Sequence, residues 1–312
     1  MGLFYTALER ADRKAAESEA AKAEAQPAAP AAPEAGQPAL VRTWEEAAQR
    51  DLAGYPLATP EAAAPADDPA QAAETVEWDA ASLGAAANPT GIAREQYRIL
   101  RTRLLEAMHG RGLRTLLVTS AVPGEGKTMV TANLALQLSS LGEGRVLLID
   151  ADLRRAGLSA SLRPAPVAGL SDYLKGEVGL SQVLRDVNPW LSILPTRCTQ
   201  EEGPELLACQ GMVELLQRMR ESFDLVLIDG APVGPVADSR ILARLADASL
   251  LVVRAQGAPG EDVERAAELL RPRLLGAVLN GAEEKRRRGY GSYGSYGGYG
   301  AKPAAADQKE PS

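Results

Sequence analysis

From about residue 89 onward, short unbroken apolar runs alternate with stretches of helical spacing. Leu116-Leu117-Val118, Val146-Leu147-Leu148-Ile149, Ile193-Leu194, Leu225-Val226-Leu227-Ile228, Leu250-Leu251-Val252-Val253 and Ala277-Val278-Leu279 read as strands. None alternates apolar with polar, so each is expected to be covered on both faces, as in a parallel sheet between two layers of helices. Ile92 to His109 has helical spacing and stops at Gly110. Together these elements predict an α/β fold, a doubly wound and mostly parallel sheet with helices on both faces, over residues 89–282.

The flanks read differently. Residues 1–88 are rich in Ala and Pro, with proline at 27, 30, 33, 38, 56, 60, 65 and 69. So few large apolar groups cannot offset the entropy of ordering, and the segment is expected to be a disordered arm. Two short helical patches stand out in it, at residues 3–11 and from Trp44 to Ala48. Beyond Lys285-Arg286-Arg287-Arg288 the chain becomes a Gly-Ser-Tyr coil, so 283–312 is expected to be a flexible tail. The charge balance, 34 Lys and Arg against 41 Asp and Glu for a net of −7, argues against nucleic acid as a whole-chain partner. No apolar run is long enough to span a bilayer, and the start Met1-Gly2-Leu3-Phe4-Tyr5 does not read as a secretory signal. Cys198 and Cys209 match neither a metal spacing nor a disulfide framework. The cytoplasm is the expected compartment.

The chemistry begins after the first predicted strand of the domain. Ser120-Ala121-Val122-Pro123-Gly124-Glu125-Gly126-Lys127-Thr128 leads into a helix starting Met129-Val130-Thr131. Strand, glycine-bearing loop ending Gly-Lys-Thr, then helix is the arrangement of a phosphate-binding loop of the P-loop NTPase type. Its glycines turn backbone N–H groups inward, the helix N-terminus adds positive potential, the lysine reaches phosphate oxygens, and the threonine hydroxyl can ligate magnesium. Ala121 stands where the strict pattern has glycine, which is tolerable if its φ is negative.

Two further strands end in acid. Val146–Ile149 delivers Asp150 and, two residues on, Asp152; Leu225–Ile228 delivers Asp229. Ligands of open parallel sheets sit at the carboxyl ends of the strands, where all three carboxylates emerge. Magnesium takes a few hard oxygen ligands and bridges phosphates, so Asp229 and one of the Asp150/Asp152 pair suit it while the other faces a nucleophile. A nucleotide with Mg2+ is the expected ligand, and nucleotide hydrolysis or phosphoryl transfer the expected chemistry.

With these residues in view, the chain resembles the bacterial P-loop tyrosine autokinases of capsule and exopolysaccharide synthesis. Pro123–Thr128 looks like that family's Walker A motif, and Leu148-Ile149-Asp150-Ala151-Asp152-Leu153-Arg154 like its Walker A′ pattern. Leu227-Ile228-Asp229 looks like Walker B, and Glu95-Gln96-Tyr97-Arg98-Ile99-Leu100-Arg101 like its Glu-x-x-Arg-x-x-Arg oligomerisation motif. The terminal tyrosines resemble its autophosphorylation segment. The resemblance implies an enzyme with ATP and Mg2+ as cofactors: catalysis by Lys127, Asp150 as base and Asp152; metal held by Thr128, Asp152 and Asp229; and nucleotide bound by Pro123, Gly124, Glu125, Gly126, Lys127, Thr128, Met129, Arg154 and Asn280. It also implies a ring-like homo-oligomer built through Glu95, Arg98 and Arg101, and modification at Tyr290, Tyr293, Tyr296 and Tyr299. A transmembrane polysaccharide co-polymerase as activator, a protein-tyrosine phosphatase, and a position at the inner face of the plasma membrane through a partner complete the implication. The chain departs from the pattern at Ala156, where proline is usual, at Ala231, where a second proline is common, and in lacking a histidine shortly after the double arginine.

The remaining residues read more simply. Asn280 before Gly281 suits either a contact with adenine, as in related P-loop ATPases, or a turn. Asp238 is expected to cap a helix, and His109 to lie on the surface at a helix end. The tail tyrosines are spaced by threes in a glycine-rich coil, so a neighbour's site, or the chain's own, is within reach by tethering. Two other readings stand beside the kinase: a partition- or septum-type ATPase switch, which places a signature lysine where this chain has Val122, and a non-catalytic ATP-bound scaffold of polysaccharide export.

Overall fold

The computed structural model describes residues 74–78, 91–199 and 202–282. The helical patches at 3–11 and 44–48, the basic run 285–288 and the four tail tyrosines lie outside the described residues. The elements, in chain order, are β1 (Glu74–Thr75), β2 (Glu77–Trp78), α1 (Gly91–His109), β3 (Thr115–Ser120), α2 (Lys127–Ser139), β4 (Val146–Asp150) and β5 (Leu162–Arg163). There follow α3 (Leu170–Leu174), α4 (Leu180–Val183), β6 (Arg185–Asn188), β7 (Leu191–Leu194), α5 (Gly203–Leu207) and α6 (Gln210–Ser222). The last are β8 (Leu225–Asp229), α7 (Asp238–Leu245), β9 (Ala248–Arg254), α8 (Gly260–Leu270) and β10 (Leu274–Asn280).

Among the described residues, one eight-stranded sheet runs β1-β6-β7-β4-β8-β3-β9-β10. From β7 to β10 every neighbouring pair is parallel, and within this sheet only the β6–β7 hairpin is antiparallel. All six strands expected from apolar runs are present. β3, β4 and β8 are buried at every position, as continuous apolar strands require. Two cores flank them. Leu116, Val118, Leu148 and Leu227 pack with Leu134 and Leu138 of α2 and with Leu104 and Met108 of α1. Leu117, Leu147, Ile149, Val226 and Ile228 face the opposite layer, with Met212 and Leu216 of α6 and Leu242 of α7. His109 ends α1 and is exposed, as expected. Among the described residues no helix is long and apolar enough to cross a membrane.

The order of the strands fixes the site. β8 lies between β4 and β3, with Asp150 level with Asp229 and Val118 level with Asp229. The phosphate loop and both acidic strand ends therefore open on one rim, at the carboxyl edge of the sheet.

The structure departs from expectation inside the segment 1–88, where residues 74–78 form β1 and β2. β1 pairs with β6, β2 pairs with β5, and Val76 N–H donates to the Asp186 carbonyl at 2.9 Å. Val76 is buried, and Trp78 packs against the α1–α2 core. These are large apolar groups in an otherwise small-residue stretch, and their burial is what offsets the ordering of this short segment. The hairpin strand β6, Arg-Asp-Val-Asn, escapes the apolar pattern because it is a partly exposed strand whose Asp186 binds Ser192 of β7 at 2.7 Å.

If residues 74–78 are docked in this way, Val76→Ala, which removes two buried methyl groups, lowers unfolding free energy by about 1.5 kcal/mol. Glu77→Ala, at an exposed position, changes it by less than about 0.5 kcal/mol. Urea denaturation of the three proteins measures the difference.

Candidate active site

The loop between β3 and α2 adopts the shape its glycines permit. Gly124 and Gly126 both have φ +86°, in the left-handed region that glycine occupies without strain. A Cβ at Gly126 would collide with the Asn280 side-chain amide, so only glycine fits there. The non-glycine residues of positive φ, among those described, are Ala156 and Gln256; Ala121 meets its condition. Glu125 is buried and turned beneath the loop: its carboxylate accepts from Val122 N–H at 3.1 Å and from Arg254 N–H at 3.3 Å. Asn280 donates from Nδ2 to the Glu125 carbonyl at 2.9 Å, tying the end of β10 to the loop. Glu125 and Asn280 thus brace the loop from behind, while Pro123 and Gly124 are exposed at its tip.

α2 begins at Lys127, whose Nζ lies 2.8 Å from Asp152 Oδ2 and 3.8 Å from Asp229 Oδ1. Nζ is also 3.3 Å from the Thr128 hydroxyl. Thr131, one turn on, donates to the Lys127 carbonyl at 2.7 Å and reaches Asp229 Oδ1 at 3.4 Å. Asp150 accepts at Oδ2 from Ser159 N–H at 2.8 Å and from the Ser159 hydroxyl at 2.6 Å; its Oδ1 accepts from Asp152 N–H at 3.3 Å. Asp150, Asp152 and Asp229 are at most 1% exposed and Lys127 is 9% exposed, so three acids share one ammonium out of reach of bulk water.

The titration of the cluster follows from that imbalance. Burial pushes Asp150 from its ordinary 3.8 up to about 7; the Asp229 charge adds to the rise, and Ser159 and Lys127 oppose it. Burial also raises Asp229, against the attraction of Lys127. For Lys127, burial disfavours the charge, but Asp229, Asp152 and Asp150 outweigh it and the net shift is upward.

These residues fit a magnesium nucleotide. Asp229 Oδ2 is buried and accepts no hydrogen bond, an oxygen that a hard cation or its water would satisfy. Among the described residues no group of three or more His, Cys, Asp or Glu side chains is arranged to hold a metal alone. Phosphate and water would therefore supply the other ligands, the mode magnesium favours.

Two expected residues are engaged elsewhere. Arg154 is held by Asp238, Nε to Oδ2 at 3.0 Å and Nη2 to Oδ1 at 3.4 Å, a fork that joins the segment after β4 to the start of α7. Asp238, expected as a helix cap, is the first residue of α7 and makes no cap; Ala237 occupies that position, and the Asp238 carboxylate is spent on Arg154. Ala156 has φ +47°, which a proline ring cannot adopt, so the chain's departure from the pattern goes with a left-handed turn here. Met129 follows Thr128 in the first turn of α2. In α1, Glu95 and Arg98 pair at 3.3 Å and are exposed, whereas Arg101 donates to the Gln137 carbonyl of α2 at 3.0 Å. Sequence reasoning missed Thr131, Arg254, Ser159 and Thr196. Only Thr131, four residues after Lys127 on one helical face, carried a readable signal.

The chain is similar to known proteins over about two thirds of its length. It is 34% identical over 207 residues to "Tyrosine-protein kinase YwqD" of Bacillus subtilis (strain 168), covering 65% of this chain and 87% of that protein. It is 34% identical over 199 residues to "Succinoglycan biosynthesis transport protein ExoP" of Rhizobium meliloti (strain 1021), covering 62% of this chain but only 25% of that protein. Of solved structures, the kinase domain of Escherichia coli tyrosine kinase ETK superposes with a TM-score of 0.59 at 31% identity, covering 69% of this chain and 84% of that one. No protein-family model matches.

The raised pKa of Asp150 has a consequence for stability. A carboxyl that titrates at about 7 when folded but near 3.8 when unfolded holds its proton more tightly in the fold. The ligand-free protein therefore loses stability as pH rises from about 4 to about 7. Asp150→Asn removes the effect, so its melting temperature relative to the parent should climb across that window and level off above it. Parallel thermal melts at pH 5, 6, 7 and 8 without nucleotide or magnesium check this; a constant offset would contradict it.

Proposed function

The chain belongs to the bacterial tyrosine-protein kinases, and from that premise we propose that it is an ATP-dependent autokinase acting on its own tail tyrosines in a neighbouring copy. The observation that carries the proposal is the convergence of Lys127, Asp150, Asp152 and Asp229 on the rim beside the phosphate loop. Loop N–H groups and Lys127 would bind the phosphates of ATP, and Thr128, Asp152 and Asp229 would hold magnesium. When bound, magnesium supplies charge neutralisation to the phosphates. Asp150 takes the proton of the tyrosine hydroxyl as that oxygen bonds to the γ-phosphorus; the bond from phosphorus to the bridging oxygen breaks and ADP leaves. Arg154 and Asn280, expected from the resemblance as nucleotide contacts, act in this reading as braces of the acidic segment and of the loop.

The tail supplies the acceptor. From Asn280 to Tyr290 is about ten residues, about 17–19 Å as a coil and about 35 Å fully stretched, enough to reach a neighbour's rim. Glu95 and Arg98, exposed on α1, are offered to a neighbouring copy in a ring-like assembly. Phosphorylation of all four tyrosines would add about −6 to −8 charge beside Lys285–Arg288, which favours dispersal of such a ring. The likeness to ExoP supports work in polysaccharide synthesis and export, with a transmembrane co-polymerase as activator and a phosphatase as antagonist. In this reading the chain works in the cytoplasm, at the inner membrane face through its partner. A partition-type ATPase switch is disfavoured by Val122 at the position of that group's signature lysine.

Purified protein incubated with Mg-ATP should gain phosphotyrosine. Lys127→Met should lower the rate on the order of a hundredfold or more. Replacing Tyr290, Tyr293, Tyr296 and Tyr299 with Phe should remove the signal, as measured by phosphotyrosine blotting and intact mass. Phosphate release without phosphotyrosine would favour the ATPase switch instead. For the assembly, Glu95→Ala with Arg98→Ala should give monomers on light scattering at micromolar protein, with the fold intact; an unchanged mass would contradict the α1 contact.

A further inference from the structure

We propose that Ser159 is a positioning residue that fixes which oxygen of Asp150 meets the acceptor hydroxyl. The inference rests on the reading of Asp150 as the base. The Ser159 hydroxyl sits between two groups: the Thr196 backbone N–H at 2.8 Å and Asp150 Oδ2 at 2.6 Å. A backbone N–H can only donate, so the hydroxyl oxygen accepts from Thr196 and its single proton goes to Asp150. The direction of this relay is therefore set by chemistry. Ser159 N–H adds a second donor to the same oxygen at 2.8 Å.

Oδ2 is thus saturated by two donors, and a carboxyl oxygen so placed does not take up a third proton. Oδ1 carries one long bond, from Asp152 N–H at 3.3 Å. The proton leaving the tyrosine oxygen must arrive on Oδ1, and the plane of the carboxylate is held so that Oδ1 faces away from Ser159. Asp150, Ser159 and Thr196 are each at most 2% exposed, so water does not compete for these bonds.

The far end of the relay is itself anchored. The Pro195 carbonyl accepts Leu170 N–H at 2.7 Å, and Gly169 leaves no space for a Cβ against that carbonyl. Thr199 N–H donates to the Leu153 carbonyl at 2.7 Å, clamping the strand exit after β7 to the segment that carries Asp152. The base is thereby aimed from three chain segments, of which Ser159 is the joint.

The test uses the full chain with Mg-ATP and compares maximal autophosphorylation rate, KM for ATP, and affinity for a fluorescent ATP analogue. Ser159→Ala keeps the backbone donor but loses the hydroxyl. It should lower the maximal rate about tenfold, while KM and analogue affinity stay within about twofold. Ser159→Thr, which retains donor and acceptor, should keep at least about half the rate. A Ser159→Ala rate within about twofold of the parent overturns the inference, as does a loss matched by an equal loss of nucleotide affinity or a Thr variant as slow as the Ala variant. Asp150→Asn separates the two readings. If it leaves the rate unchanged, Asp150 is not the base and the functional reading fails. If it abolishes the rate while Ser159→Ala does not lower it, only the role of Ser159 falls.

Discussion

Three carboxylates buried around one ammonium are an electrostatic debt that the rest of the structure is arranged to hold. Two excess negative charges in a site closed to water cost several kcal/mol unless they are protonated or met by a cation. The ligand-free protein takes the first course, with Asp150 titrating near neutrality and Lys127 drawn onto Asp152. A divalent ion with a polyphosphate offers the second. Under the proposed function the same unfavourable arrangement is a stored affinity for the substrate complex, and it persists because the sheet over-determines it. Asp150 and Asp229 end adjacent strands in register, and Lys127 starts a helix packed against the strand beside them.

What surrounds the cluster is concerned with aim rather than charge. Glu125, Arg254 and Asn280 support the loop from below, so that its curvature does not depend on a bound phosphate. Arg154 and Asp238 fasten the acidic segment to α7, and Ser159 with Thr196 fastens Asp150 to the exit of β7. The loops around the rim are therefore cross-linked by part-buried hydrogen bonds and, at Ser159, by fully buried ones, which at low local dielectric are stiff and intolerant of partial loss.

Much of this was legible in the residues. The strands carrying the site are continuous apolar runs; Lys127 and Thr128 open the helix after the glycine loop, and Asp150, Asp152 and Asp229 lie at or just past strand ends, where their types and spacing already point to phosphate. Residues whose roles arise from contacts distant in sequence were not. Asp238 read as a cap because a lone acid before a helix usually is one, and nothing local told of Arg154, 84 positions away. Ser159 is an ordinary serine until the left-handed turn at Ala156 folds it back under Asp150. β1 and β2 are too short to show a period and exist only against β6 and β5.

The central claim, that the buried acids are built to be neutralised by a bound magnesium nucleotide, is open to a direct thermodynamic test. Binding that forces Asp150 into its charged form must expel its proton. Isothermal titration of Mg-ATP at pH 7, repeated in buffers of different ionisation enthalpy, counts the protons released. The account predicts about half a proton more for the parent than for Asp150→Asn, vanishing above about pH 8. Equal proton release by the two proteins, or proton uptake by the parent, would contradict it.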